Sequence, residues 1–355
     1  MKKEIGSIFP LSDICLENKE TSLTVPQNTI LYSLCREALY NLAISLSDTN
    51  NHVLIPAYTC QTVITPFKEA GWSCHFYSIQ KNLRIDGDSL MAQCECFKPS
   101  LIIVHPFFGM DLNAQEIQLL RHLSNTTKIV VDLTQCIFSK QKLPFVDYYL
   151  GSYRKWFPIP DGGFLRANKD LCPYNQPVTE NTTFVSCQTD AMYLRGAYFA
   201  NGDPNLKAIS IRLNKMADAM VEERIGLHCM STFSWSLKLQ QDEERIQQIR
   251  NANYRYLFHH VFEGDRISLV CGDIHCVTTA PLYFTIYVDN RESLQQQLIE
   301  DSVYAPIIWP VEDEEVLISD DVKYIYKHIL AIPCDQRYDE RDMERIVKII
   351  NDYQS

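Results

Sequence analysis

The chain has 355 residues, 33 Lys+Arg against 44 Asp+Glu for a formal charge of −11, and is 46% hydrophobic and 22% charged. That composition excludes disorder, collagen and coiled coil, and the length exceeds what one hydrophobic core usually supports, so a large and a smaller domain are expected. The acidic balance, with no Lys/Arg cluster, argues against a nucleic-acid binder, because phosphate affinity rests on clustered cations.

Thirteen cysteines are spread over the chain in odd number, at irregular spacing and without a C-x-x-C. They read as free thiols in a reducing cytoplasm rather than a disulfide scaffold or a metal site. Lys2 and Lys3 are followed by Glu4, Gly6, Ser7 and Pro10, not by an apolar run. No stretch approaches the roughly 18–20 apolar residues of a membrane span. A cytoplasmic protein is expected.

The first half alternates in type. Apolar residues at Leu31, Leu34, Cys35, Ala38, Leu39, Leu42 and Leu46 predict a helix over 31–46. His52–Pro56 reads as a buried strand stopped by proline, and Thr59–Ala70 as a helix ending at Gly71. Strands are expected at Cys74–Ile79 and Ser100–His105. Asn113–Leu123 is predicted as a helix with Asn113 as N-cap and Glu116 completing a capping box. Lys128–Asp132 and Val146–Gly151 follow as strands. Short apolar strands separated by helices mean βαβ units and a mostly parallel sheet covered on both faces.

Residues 171–205 are rich in Asn, Thr, Pro and Gly and read as an extended surface segment. A structureless stretch of that length is usually functional. With Tyr193, Leu194, Tyr198 and Phe199 as an apolar patch, it is expected to reach toward a partner subunit. A polar helix is expected near Asp242–His259, a strand over Pro281–Val288, a helix at Glu292–Glu300 and an amphipathic helix at Glu340–Tyr353. These elements give a large α/β domain over 1–240 and a smaller α+β domain over 241–355.

In open α/β sheets, functional groups gather at the carboxyl ends of the strands. His105 and Asp132 end two of these strands, and Ser152 and Lys155 follow another. A lysine near a carboxylate in a covered cleft can condense with an aldehyde. If that aldehyde is pyridoxal phosphate, Asp132 is a suitable anionic partner for the ring nitrogen, which makes the ring an electron sink. Gln135 could donate to the phenolate oxygen and Ser152 to the phosphate, with the helix opening at Ser33–Ala38 and its Arg36 as the other phosphate ligands. His105 reads more simply as a hydrogen-bonded structural histidine.

Leu31–Leu39, Ile55–Cys60 and Ala70-Gly-Trp72, followed by Val104–Gly109, Val131-Asp-Leu-Thr-Gln135, Gly151-Ser-Tyr-Arg-Lys-Trp-Phe157 and Asp161-Gly-Gly163, resemble the DegT/StrS-type aminotransferases, a group of fold-type I pyridoxal phosphate enzymes. Ile308-Trp-Pro310 and Ile332–Tyr338 continue the likeness, whereas 171–240 has no clear match. The ordered Asp-x-x-Gln and Ser-x-x-Lys pair is its most specific part. The resemblance implies a large sheet domain with a small C-terminal domain and Lys155 as the lysine that holds the cofactor. It further implies Asp132 at the pyridine nitrogen, Gln135 near the phenolate, Ser152 at the phosphate, and a homodimer with active sites at its interface.

Two departures stand out. Leu34-Cys-Arg36 replaces a Ser-Gly-Thr or Ser-Gly-Arg start, so Cys35 and Arg36 would border the phosphate. Cys60 occupies the position of the ring-stacking aromatic, for which Tyr58 is the candidate substitute.

The expected reaction is transfer of an amino group from an amino-acid donor, glutamate above all, to a keto acceptor such as a nucleotide-linked sugar. Arg337 and Arg154 are candidates for the donor carboxylate, since a guanidinium fork matches it. The departures at Cys35 and Cys60 motivate a second reading, a binding or regulatory protein that keeps the fold without the chemistry. An unrelated α/β nucleotide-sugar enzyme is disfavoured because no G-x-G-x-x-G follows the early strands.

Overall fold

The computed structural model describes residues 3–11, 23–47, 50–169, 176–222 and 225–354. The elements run β1 (Thr29–Tyr32), α1 (Cys35–Ser45), β2 (His52–Pro56), α2 (Gln61–Glu69), β3 (Ser73–Tyr77), α3 (Gly87–Phe97), β4 (Leu101–Val104), α4 (Ala114–Leu123), β5 (Lys128–Asp132), β6 (Tyr148–Ser152) and β7 (Gly163–Ala167). They continue with α5 (Thr182–Asn201), α6 (Pro204–Glu222), α7 (Thr232–Leu239), α8 (Glu243–His260), β8 (Ile267–Leu269), β9 (Phe284–Val288), α9 (Arg291–Glu300), α10 (Asp320–His328), β10 (Ile329–Ile332) and α11 (Glu340–Gln354).

Seven strands form one sheet in the order β1-β7-β6-β5-β4-β2-β3. The inner ladders β3/β2/β4/β5/β6 are parallel, while β7 and β1 close one edge antiparallel. Leu101–Val104 and Ile129–Asp132 are buried residue after residue, as a sheet covered on both faces requires. Asn113 and Glu116 form the reciprocal capping box. A second sheet, β10-β9-β8, packs with α8, α9 and α11 around its own apolar cluster, which includes Leu257, Phe284, Ile286 and Ile346.

The structure revises several expectations. Thr29–Tyr32 is a strand paired with Gly163–Arg166, and the helix expected from Leu31 starts only at Cys35. Within 171–205, positions 171–175 lie outside the described residues. Thr182–Asn201 is helical rather than extended, and with α6 it makes an antiparallel hairpin. Of the apolar patch expected there, Tyr193 and Phe199 are exposed, but Tyr198 is buried with its hydroxyl donating to Glu4 at 3.1 Å. Among the cysteines, Cys271 and Cys276 form a disulfide, and the other nine described ones are free. No described helix is long and apolar enough to cross a membrane.

The N-terminal segment ties the α5–α6 hairpin to the C-terminal unit. Ile5 bridges to Val303, and Gly6, at φ +86°, donates its N–H to the Tyr338 hydroxyl oxygen at 2.7 Å. A Cβ at Gly6 would lie 2.2 Å from the Tyr304 carbonyl oxygen, so only glycine fits. Glu4 meets Arg195 and Lys207 of the α5–α6 hairpin, and Lys3 meets Asp342 of α11.

Candidate active site

The carboxyl ends of β4, β5 and β6 and the start of α1 converge on a cavity of about 190 Å³. It brings together Cys35, Arg36, Cys60, Asp132, Gln135, Ser152, Arg154 and Lys155, eight residues singled out from the sequence. The parallel strands place them there, because successive strands end on the same side of the sheet.

Asp132 is 5% exposed, and its Oδ1 accepts from the Thr134 N–H at 2.8 Å. Its Oδ2 lies 3.6 Å from Nδ1 of His105, whose Nε2 pairs with the Thr59 hydroxyl at 2.8 Å. His105 is therefore the hydrogen-bonded histidine expected, and it also walls the cavity. Burial, partly countered by Asp132 and reinforced by Lys155, lowers the His105 pKa.

Lys155 ends a one-turn 3-10 segment after β6 and is exposed at the cavity mouth. Its neighbour Trp156 anchors the turn: the indole N–H donates to the Thr134 carbonyl at 2.8 Å. The Trp156 carbonyl accepts from Gln336, which accepts from Arg250 stacked on the Trp156 ring at 4.6 Å. Gln135 accepts the Phe108 N–H on Oε1 at 3.2 Å, which leaves its amide nitrogen as the free donor.

At the opposite wall, Leu34 caps α1 in extended conformation without a side-chain hydrogen bond to the first turn. The N–H groups there are available to an anion. Gly163 of β7 packs directly on this turn, so that a Cβ there would sit 2.5 Å from the Cys35 nitrogen. The Cys35 thiol lies 3.8 Å from the Thr134 hydroxyl, and burial together with Asp132 pushes its pKa well up. Arg36 is tied back to the Val221 carbonyl of α6 at 3.1 Å.

Two expected residues are placed differently. Tyr58 does not face the cavity. It is fully buried among Phe107, Trp309 and Tyr326, with its hydroxyl 3.4 Å from the Ile308 carbonyl. On a regular strand Tyr58 and Cys60 would share a face, but β2 ends at Pro56 and the irregular backbone of 57–60, before α2, turns the two side chains apart. Arg337 borders a neighbouring cavity of about 360 Å³. Its fork is already held by Asp335 through Nε and Nη2, both at 2.8 Å, and by the Ser7 and Ile8 carbonyls.

Sequence reasoning gave no role to Thr134 or Trp309, which also line the first cavity. Trp309 separates it from the second at φ +55°, a strained conformation for a bulky residue. Both fall inside the motifs Asp132–Gln135 and Ile308–Pro310, yet nothing local marks their direction.

Solved structures share this architecture over nearly the whole chain. PseC of Helicobacter pylori, an aminotransferase involved in pseudaminic acid biosynthesis, aligns with a TM-score of 0.68 at 10% identity, over 99% of each chain. NtdA of Bacillus subtilis, solved with bound PMP, aligns with a TM-score of 0.64 at 15% identity, over 91% of this chain and 73% of that one. A DegT/DnrJ/EryC1/StrS aminotransferase of Brucella abortus aligns with 0.63 at 14% identity, over 92% and 86%. This chain shares the fold of these solved aminotransferases. No protein-family model and no curated protein sequence matches it.

Within this aminotransferase fold, the donor set of the first cavity suits pyridoxal phosphate. A primary amine, a buried carboxylate, an amide donor and a helix N-terminus without a side-chain cap, with a serine and an arginine, surround one space. Among the described residues no group of three or more metal-ligating side chains occurs.

Proposed function

We propose that the chain is a pyridoxal-phosphate-dependent aminotransferase that moves an amino group from an amino-acid donor, glutamate, to a keto acceptor of the nucleotide-linked sugar class. The observation that carries this reading is the convergence of Lys155, Asp132 and the open N-terminus of α1 on one cavity. The fold it shares with sugar aminotransferases supports the class, and the relatives' sugars support the acceptor.

Each residue has a distinct task. The N–H groups at Cys35 and Arg36, with Ser152, would hold the phosphate. Asp132, buried in the cavity wall beside His105, would pair with the ring nitrogen as its carboxylate partner. The amide nitrogen of Gln135 would donate to the phenolate oxygen. Pyridoxal phosphate, when bound, supplies an aldehyde for the amino group and a ring that draws electrons from the carbon bearing it. Lys155 would hold the cofactor through its amine and would take up the proton from the donor's amino-bearing carbon. The Trp156 anchor keeps that amine at the cavity mouth.

The large unit over 1–240 would carry the cofactor and 241–355 would form the smaller domain. A homodimer is part of the same proposal: Tyr193, Phe199, Met216 and Met220 leave apolar surface on the α5–α6 hairpin for a second copy. Sedimentation at micromolar concentration should give twice the chain mass, and a monomer with and without cofactor would end that part.

The deciding experiment is an absorption spectrum with added cofactor, followed by borohydride reduction and peptide mapping. The label should fall within 151–166, on Lys155, and the spectrum should shift when glutamate is added. Stable binding without any shift on amino donors would favour the second reading, a binding protein on the same fold.

A further inference from the structure

A buried carboxylate sits in the helix turn where the phosphate would bind. Glu37 is the third residue of α1 and is 2% exposed. A glutamate at this position commonly turns back on the N–H groups of its own first turn, and those are the groups an anion needs. Here both of its oxygens are engaged by one residue of the segment that follows α6. Oε2 accepts the His228 N–H at 3.1 Å, and Oε1 lies 2.9 Å from the imidazole Nδ1. Burial raises the Glu37 pKa, and the hydrogen bonds from His228 and the Leu34 backbone lower it.

The clasp is built from more than one direction. The Ser33 N–H donates to the His228 carbonyl at 2.9 Å, so the same residue grips the chain just before α1 and the carboxylate within it. The end of α6 holds Arg36 through the Val221 carbonyl at 3.1 Å. Gly226 leaves space for the imidazole, since a Cβ there would lie 2.3 Å from its Cε1. The His228 side chain is 30% exposed while that of Glu37 is 3% exposed, so the ring can be replaced without opening the core.

We infer that His228 is a positioning residue for the cofactor's phosphate: by engaging both oxygens of Glu37 it keeps that carboxylate from competing for the Cys35 and Arg36 N–H groups. Without the imidazole, Glu37 can turn further onto its own first turn, where it opposes a phosphate by charge and takes its donors. The segment at 225–230 thus acts on a ligand through α1. The inference rests on the proposed function for the cofactor alone, and the identities of donor and acceptor do not enter it.

The test measures cofactor capture without turnover. Borohydride-trapped label on Lys155 is followed against the concentration of pyridoxal phosphate and of pyridoxal, which keeps the aldehyde and ring but lacks the phosphate. His228→Leu removes the Nδ1 donor, whereas His228→Asn puts an amide N–H close to where Nδ1 stands. The half-saturating concentration of pyridoxal phosphate should rise about tenfold in the folded His228→Leu protein, return toward the parent value in His228→Asn, and leave pyridoxal unchanged. In a Glu37→Gln background the His228→Leu step should matter less than about threefold, because its route through the carboxylate is gone. If His228→Leu does not fold, His228→Gln takes its place, since its amide lies beyond the Nδ1 position. Equal losses for pyridoxal and its phosphate, an unchanged value in the folded variant, or the full effect persisting in Glu37→Gln overturns the inference. A parent chain that traps neither compound on Lys155 removes the cofactor reading and this inference together, whereas a labelled parent with unaltered variants removes the inference alone.

Discussion

Nδ1 of His105 lies 3.6 Å from Oδ2 of Asp132, and both side chains are shielded from water. The histidine is held neutral mainly by burial, so its protonation opposes the folded state. Its folded pKa is below the ordinary 6.5, so stability is full above that value and declines as pH falls through it toward the folded pKa. Thermal melts between pH 7.5 and 5 should show this decline. His75, also lowered mainly by burial, contributes in the same direction, so the comparison is with His105→Gln. That variant should show a shallower decline, and an unchanged slope would assign the effect elsewhere.

Replacing Asp132 by Asn keeps the acceptor for the Thr134 N–H and removes the charge. Turnover should fall a hundredfold or more, about 2.7 kcal/mol in the barrier, while the melting temperature changes little. Transamination rates of Asp132→Asn near those of the parent would reduce Asp132 to a local cap.

Arg337 and Asp335 form a buried pair, and its loss should appear in stability rather than in donor recognition. Burial raises the Asp335 pKa, but Arg337 outweighs it and holds the carboxyl below 3.8. This stabilisation is present above 3.8 and disappears as pH falls through the folded value. Arg337→Ala strands the carboxylate and should cost about 3–5 kcal/mol, read as a lower urea midpoint at neutral pH. A variant of unaltered stability with a selectively raised KM for the amino donor would restore Arg337 as a substrate ligand.

Gly163→Ala should disturb the cofactor pocket without touching a polar group. The added methyl would press on the backbone of Leu34 and Cys35, with its nearest atoms at 2.5 and 2.6 Å. Neither can yield as a flexible side chain would. Overpacking of this kind costs about 1–3 kcal/mol, and the displaced first turn of α1 should also weaken cofactor affinity, measured by fluorescence titration. Parent-like stability and affinity would show that β7 and α1 are free to separate.

Much of the parallel sheet was legible because its signals are local. His52–Pro56 and Lys128–Asp132 fall where unbroken apolar runs put them, and Asn113 with Glu116 caps α4 through groups three residues apart. Asp132, Gln135, Ser152 and Lys155 could be proposed together because strand ends in a parallel sheet necessarily meet. Other placements depended on partners far along the chain. Thr29–Tyr32 carries helix-like spacing but pairs with Arg166–Gly163, more than a hundred residues away, and that ladder overrides local preference. The α5–α6 hairpin escaped notice because its apolar residues are divided between a buried side and an exposed one, which blurs the period. Whether Tyr58 faced the first cavity turned on Trp309 and Tyr326, far along the chain, and Arg337, although Asp335 is its near neighbour, is also held by the distant Ser7 carbonyl. Residue type and spacing determined which groups reach one end of the sheet. Only tertiary packing decided where each side chain points, because that choice is made by neighbours the local sequence does not contain.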